Sequence, residues 1–173
     1  MKKILGSQLR FLVMSILVFG GLYTVVITGV GQLLFSNQAN GSQRIVDGEI
    51  IGSTLIGQQF LQPGYFAGRS DAVSQLSPVS AEQETLVSDR KTALQRENQI
   101  TEVPVDLVTA SASGVDPHIT VAAAEVQVPR IAKERNRKES AIRAIIKENT
   151  QKDWFSDRTF VNVLELNLAL DKL

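Results

Sequence analysis

The one histidine of the 173-residue chain, His118, stands two residues after Asp116 and close behind Ser111 and Ser113. Ser, His and Asp can form a nucleophile–base–orienter relay, but the three groups must converge from separate elements, usually with the serine on a Gly-x-Ser-x-Gly elbow. Ser111-Ala112-Ser113-Gly114 is not that elbow, so the reading adopted is a capping or loop-pinning cluster. With no cysteine, thiolate metal sites, disulfides and a Cys nucleophile are excluded. One histidine and scattered acids give no ligand spacing for zinc or calcium, and no Gly-x-x-x-x-Gly-Lys-Ser/Thr loop is present for phosphates. Arg130, Lys133, Arg135, Arg137, Lys138, Arg143 and Lys147 crowd one helical region. They could meet phosphates, lipid headgroups or an acidic partner; the competing reading is a solvated helix face with pairs such as Glu139–Arg143.

The framework behind these residues begins with a run of 25 uncharged residues, Phe11–Phe35. As a helix it spans roughly 37 Å, enough for a hydrocarbon core of ~30 Å. A cleaved signal peptide has a shorter apolar region and a small-x-small exit; Ser36-Asn37-Gln38-Ala39-Asn40 is a poor one. Lys2, Lys3 and Arg10 precede the run, and the first acid is Asp47. The positive-inside rule therefore predicts a cytoplasmic tail (1–10), a transmembrane helix (11–35) and an external domain (36–173). Overall 18 basic and 18 acidic residues balance, which argues against a nucleic-acid binder. Within the helix, Gly20, Thr24, Thr28 and Gln32 recur every four residues, with Tyr23 beside them. That stripe suits close approach of a partner helix, with Gln32 seeking a hydrogen bond; the alternative is that the threonines bond their own preceding carbonyls.

Beyond the helix, Ile45–Phe60 is interrupted by glycines and predicts short strands and turns. Pro63-Gly64 predicts a turn, with Tyr65 and Phe66 buried. Asp71–Ala81 is Ser-rich and reads as a mobile loop. Ala81–Asn98 predicts a largely solvated helix capped by Ser80. Val103–Thr109 leans toward a strand, and TASASGVDPHIT toward a loop. Thr120 is a plausible cap for a helix over Val121–Arg135, with Asp116-Pro117 a rival start, and Pro129 should kink or split that helix. Glu139–Asn149 predicts another helix, and the first half of Phe160–Leu170 a core strand. The expected architecture is one N-terminal transmembrane helix followed by a single α+β extracytoplasmic domain.

Six blocks, in order, carry a resemblance: Gly20–Ser42 (GGLYTVVITGVGQLLFSNQANGS), Gly52–Phe60 (GSTLIGQQF), Tyr65–Ser70 (YFAGRS), Val103–Thr120 (VPVDLVTASASGVDPHIT), Ala122–Asn136 (AAAEVQVPRIAKERN) and Val161–Leu173 (VNVLELNLALDKL). Together they resemble the C subunit of the Kdp-type potassium-transporting P-type ATPase. The motif positions are Gly52, Ser53, Gln58, Arg69, Thr109, Ser111, Ser113, Gly114, Asp116, His118, Gln127, Asn162 and Asn167, without an assigned role. Two departures stand out. Family members carry a longer insert with SGGSNL where this chain has only Val73–Ser80, so a nucleotide role of that loop is not carried over. Many relatives have Pro where Thr24 stands, which predicts a straighter helix.

The resemblance implies a non-catalytic accessory subunit in the bacterial inner membrane, partnered by a potassium-channel-like subunit and a separate ATP-hydrolysing P-type subunit. ATP and potassium would be handled by the complex and no cofactor held by this chain; the family's subunit has been described as a catalytic chaperone that raises its partner's ATP affinity. The rival is a membrane-anchored external enzyme or ligand-binding domain, opposed by the missing elbow and metal cluster. For the topology, a cysteine placed between Asp71 and Ala81 should react with an impermeant external thiol reagent on intact cells. Labelling only after lysis would reverse the orientation.

Overall fold

The structure is a computed structural model that describes residues 2–71 and 75–173. It divides into two compact units, Met1–Gln43 and Arg44–Leu173.

The first unit is helical: α1 (Lys2–Ser15), a wider π-wound stretch (Ile16–Tyr23), α2 (Thr24–Leu34) and a short turn α3 (Ser36–Ala39). Leu5–Leu34 forms a 30-residue helix long and apolar enough to cross a bilayer. Ahead of Thr24 the helix is wound as a π-helix over Ile16–Tyr23. Gly20-Gly21 lacks side chains to resist a wide turn, and the Thr24 hydroxyl donates to the Phe19 carbonyl five residues back (3.2 Å), a spacing that belongs to the π geometry. The Gln32 and Asn40 amides bond each other in both directions (3.3 and 3.2 Å). Gln32 thus finds a partner within its own chain.

Strand β1 (Gln43–Val46), which begins at the last residue of the first unit, pairs with β2 (Glu49–Ser53). Asp47-Gly48 joins them, with positive φ at both residues, the two-residue turn that matches strand twist. Ser80 caps α4 (Ala81–Asn98) by accepting from Gln83 N–H at 3.2 Å. Only Asn98 of that helix is buried. The expected Ser-rich loop precedes it, partly at 72–74, outside the described residues.

Val103–Thr109 is not a strand. It holds one helical turn, α5 (Val105–Val108), started by Pro104 and closed by the Thr109 N–H and hydroxyl on the Val105 carbonyl (3.0 and 2.8 Å). Leu107 and Val108 are consecutive and both buried. An alternating strand would bury one of them, whereas a turn packs both. Strand β3 (His118–Thr120) follows, so the TASASGVDPHIT loop ends three residues earlier than its sequence suggests.

Thr120, and not Asp116-Pro117, starts the next helix: its hydroxyl accepts from Ala123 N–H at 3.1 Å. Pro129 divides the expected helix into α6 (Val121–Glu125) and α7 (Val128–Glu134). Then come α8 (Glu139–Glu148), β4 (Gln151–Lys152), β5 (Thr159–Asn162) and α9 (Val163–Leu170). The expected core strand is present but stops at Asn162, whose side chain caps α9 through Glu165 N–H (3.3 Å). The sheet order is β3-β5-β4, antiparallel, with Ile119 opposite Val161. Those two residues, with Phe66, Val128, Ile131, Ile142, Ile146 and Leu166, fill the core.

One extended segment of that core has no strand beside it. Phe66 is fully buried, so its peptide groups cannot reach water. Asn167 supplies the missing partner: its carbonyl accepts from Phe66 N–H (2.8 Å) and its amide donates to the Phe66 carbonyl (3.0 Å). Gln127 does the same for Ala67, at 2.8 and 3.1 Å. Both side chains are themselves buried. Asn167→Leu leaves a buried N–H and C=O unpaired and should cost the full-length chain about 2–4 kcal/mol. Removing the α9 cap by Asn162→Ala should cost about 1 kcal/mol. Denaturant titration of both variants in detergent tests the ranking, and the reverse order would refute it.

Candidate functional site

Most of the motif residues converge on the segment between α5 and β3, and Arg69 is the hub. Its guanidinium donates to Asp116 Oδ2 (3.3 Å), to the Thr109 hydroxyl (3.4 Å) and to the Ala110 carbonyl (3.1 Å), while Nε is buried without a protein partner. One arginine thus holds both ends of the loop from Thr109 to Asp116. Gln59 donates to the Arg69 carbonyl (3.2 Å) and fixes the hub in turn.

Asp116 uses both oxygens. Oδ2 pairs with Arg69; Oδ1 accepts from the His118 backbone N–H (3.0 Å) and lies 3.4 Å from His118 Nδ1. The imidazole rests edge-on against Phe160, 4.8 Å between ring centres. The serines turn elsewhere: Ser111 Oγ accepts from Asp116 N–H and Ser113 Oγ from Val115 N–H, each at 3.3 Å. Ser, His and Asp are therefore neighbours, but their hydrogen bonds build a loop and do not form a relay ending in a nucleophile. Asp106, which sequence reasoning did not single out, accepts from Thr120 N–H at 2.7 Å and ties α5 to β3. An acid in the first turn of a one-turn helix gave no signal while that segment read as a strand.

The loop is also read by backbone. Gly57 N–H donates to the Val115 carbonyl (2.7 Å), so closely that a Cβ at Gly57 would lie 2.7 Å from the Asp116 carbonyl oxygen. Gly114 has φ +73°, as its place in the loop demands. Gly52 faces the Gln58 side chain, and Ser53 Oγ accepts from Leu55 N–H (3.1 Å). Asn162, besides capping α9, donates to the Thr54 carbonyl (2.8 Å). Beside the hub, Arg69, Asp106, Asp116, His118, Arg158 and Phe160 border an open depression of about 200 Å³, smaller than the usual small-molecule pocket. Among the described residues no group of three or more His, Asp or Glu could hold a metal ion.

Two residues of the basic region, Arg130 and Arg135, are committed inside the fold, while Lys133, Arg137, Lys138, Arg143 and Lys147 are exposed. Arg130 is almost fully buried, donating to Asn98 Oδ1 (2.9 Å), Gln127 Oε1 (2.9 Å) and the carbonyls of Pro63 and Tyr65. Burial pushes its pKa below the ordinary arginine value, opposed by Glu97 and Glu134. Arg135 grips the Gly64 and Leu170 carbonyls and Asp171, and stacks 4.5 Å over Tyr65. Arg143 pairs with Glu125 and Glu139, and the hydrogen bonds it donates to these carboxylates raise its pKa. The Glu139–Arg143 pair of the solvated-face reading is present, but Arg130 and Arg135 are structural in a way neither sequence reading foresaw. The stripe Gly20, Tyr23, Thr24, Thr28 and Gln32 lies on the N-terminal helix, remote in sequence from this cluster.

Comparison with known proteins gives a consistent result. The family model for KdpC, described as "K+-transporting ATPase, c chain", matches residues 5–172. The chain is 43% identical to the potassium-transporting ATPase KdpC subunit of Yersinia enterocolitica, covering 92% of this chain and 88% of the relative. It is 39% identical to that of Mycobacterium bovis over the whole of both chains. For the loop, Gly114→Val at positive φ should destabilise the full-length chain by about 1–3 kcal/mol. His118→Ala removes the edge-on contact with Phe160 and the 3.4 Å approach to Asp116 and should cost about 1 kcal/mol. Thermal unfolding in detergent measures both; a larger loss for His118→Ala would contradict the scaffold reading.

Proposed function

This chain belongs to the KdpC family, the c chain of K+-transporting ATPases, and on that premise we propose that it is a non-catalytic subunit that assembles and stabilises the complex. As a KdpC subunit it is an accessory part of potassium uptake. The observation that carries the finer reading is the inward commitment of its polar motif residues. Arg69, Asp116, Ser111, Ser113, Gln127 and Asn167 all bond this chain's own backbone or side chains. Catalysis needs polar groups aimed at a reacting atom, and those positions serve shape instead.

The proposed placement is a single pass through the inner membrane, cytoplasmic N-terminus first, with the globular unit outside. Its partners would be the potassium-channel-like subunit and the ATP-hydrolysing P-type subunit, which handle potassium and ATP. An increase in the partner's ATP affinity would then travel through helix packing, for which Gly20, Tyr23, Thr24, Thr28 and Gln32 offer a face of small and polar residues. Direct contact with ATP is harder to reconcile with a globular unit on the side without it.

The test is potassium-dependent ATPase activity of the assembled complex, with yield and KM for ATP measured together. His118→Ala should leave turnover within about twofold, the effect of one lost hydrogen bond or less. Thr28→Leu should lower the yield or raise KM for ATP. Turnover falling by orders of magnitude in His118→Ala with normal assembly would make this chain catalytic.

A further inference from the structure

We infer that Trp154 and Phe155, at the tip of the turn joining β4 to β5, insert into a lipid surface. The two side chains are 94% and 97% exposed, so nothing in their own fold covers them. Aromatic side chains carry roughly 150–250 Å² each, and Trp is a side chain that settles at the membrane–water interface.

The tip is built to present them. Asp153 Oδ1 accepts from Phe155 N–H (3.3 Å), Asp153 Oδ2 from the Ser156 hydroxyl (2.9 Å), and Ser156 Oγ from Arg158 N–H (3.3 Å). Asp153 N–H closes the turn on the Arg158 carbonyl (3.0 Å). Three backbone N–H groups of the tip are thus already satisfied when it leaves water. Its charges cancel: Lys152 pairs with Asp157 at 2.7 Å, and Asp153 is balanced by Arg158. A neutral aromatic wedge has nothing to steer it toward a charged protein surface, and no net charge to strip on entering the headgroup layer.

The occupant follows from the chain's own N-terminal helix, and this inference rests on reading that helix as a membrane span. The helix ends at Leu34 and the globular unit begins at Arg44, a link of at most roughly 35 Å. So short a tether keeps the unit beside a bilayer at high effective concentration, where a shallow contact suffices.

Trp154 is the only tryptophan, so the full-length chain reconstituted alone into phosphatidylcholine vesicles reports on the tip directly. Flotation shows whether the chain is anchored. Phosphatidylcholine brominated near the top of the acyl chain should quench Trp154 emission by about twofold, as expected for insertion 5–10 Å deep. Phe155→Asp should abolish that quenching while flotation is unchanged. A chain that floats with Trp154 still open to aqueous iodide and untouched by brominated lipid overturns the contact alone. A chain that fails to float overturns the anchor and the contact with it. Shielding that appears only when the other subunits are added would assign the tip to a protein partner and refute the lipid contact.

Discussion

Two side-chain amides standing in for a missing β-strand are the constraint on which this fold depends. The chain must bring Phe66 to the centre of the core, but it has no neighbouring strand to receive the peptide groups on either side. Asn167 from α9 and Gln127 from the α6–α7 junction each offer one donor and one acceptor, the same complement as a peptide group, and bond Phe66 and Ala67. An unpaired buried peptide costs more than an ordinary hydrogen bond gains, so α7 and α9 are fixed against the segment by necessity as well as by apolar packing. Gln127 also donates to the Ala123 carbonyl in α6 and accepts from Arg130. The clamp is thereby locked to the helix break that Pro129 creates.

The arginines extend this arrangement along the same stretch of chain. Arg130 and Arg135 hold the carbonyls of Pro63, Gly64 and Tyr65, ahead of the clamp. Arg69, just behind it, holds the Thr109–Asp116 loop. A planar guanidinium presents five donors in a fixed fork, and carbonyls of irregular chain are the acceptors most in need of them. Residues 63–69 therefore work as a central spine whose outward-facing groups are received by helices formed later in the sequence.

Much of this was legible where local chemistry decides the outcome. Ser80, Thr120 and Pro129 act within one turn of themselves, and the helices start or break where those residues predict. The N-terminal apolar helix, the Asp47-Gly48 turn region and the helix over 139–148 were legible for the same reason. Val103–Thr109 misled because β-branched residues favour a strand only with a neighbouring strand to pack on, and here the burial of adjacent Leu107 and Val108 demanded a turn. Asn162 carried a readable signal, an Asn followed three residues later by Glu165, the pattern of a capping box. The alternation of hydrophobic residues around it hid that signal. Arg130 and Arg135 could not have been placed from sequence, since the carbonyls of Pro63, Gly64 and Tyr65 that they hold lie 65 to 71 residues away.

Family membership gives the motif positions a physical meaning that the residue types alone do not. A sequence rich in Ser, Asp, His and Arg around one loop invites a catalytic reading, and proximity alone would support it. What the structure adds is where these groups bond. Asp116 already faces Arg69 on one oxygen and His118 on the other; each serine accepts from the loop it belongs to. With these bonds made inside the loop, the segment from Thr109 to Asp116 is held in a fixed shape. In a chain of the KdpC family, the cross-link of this loop through Arg69 and Asp116 therefore reads first as a fixed surface element.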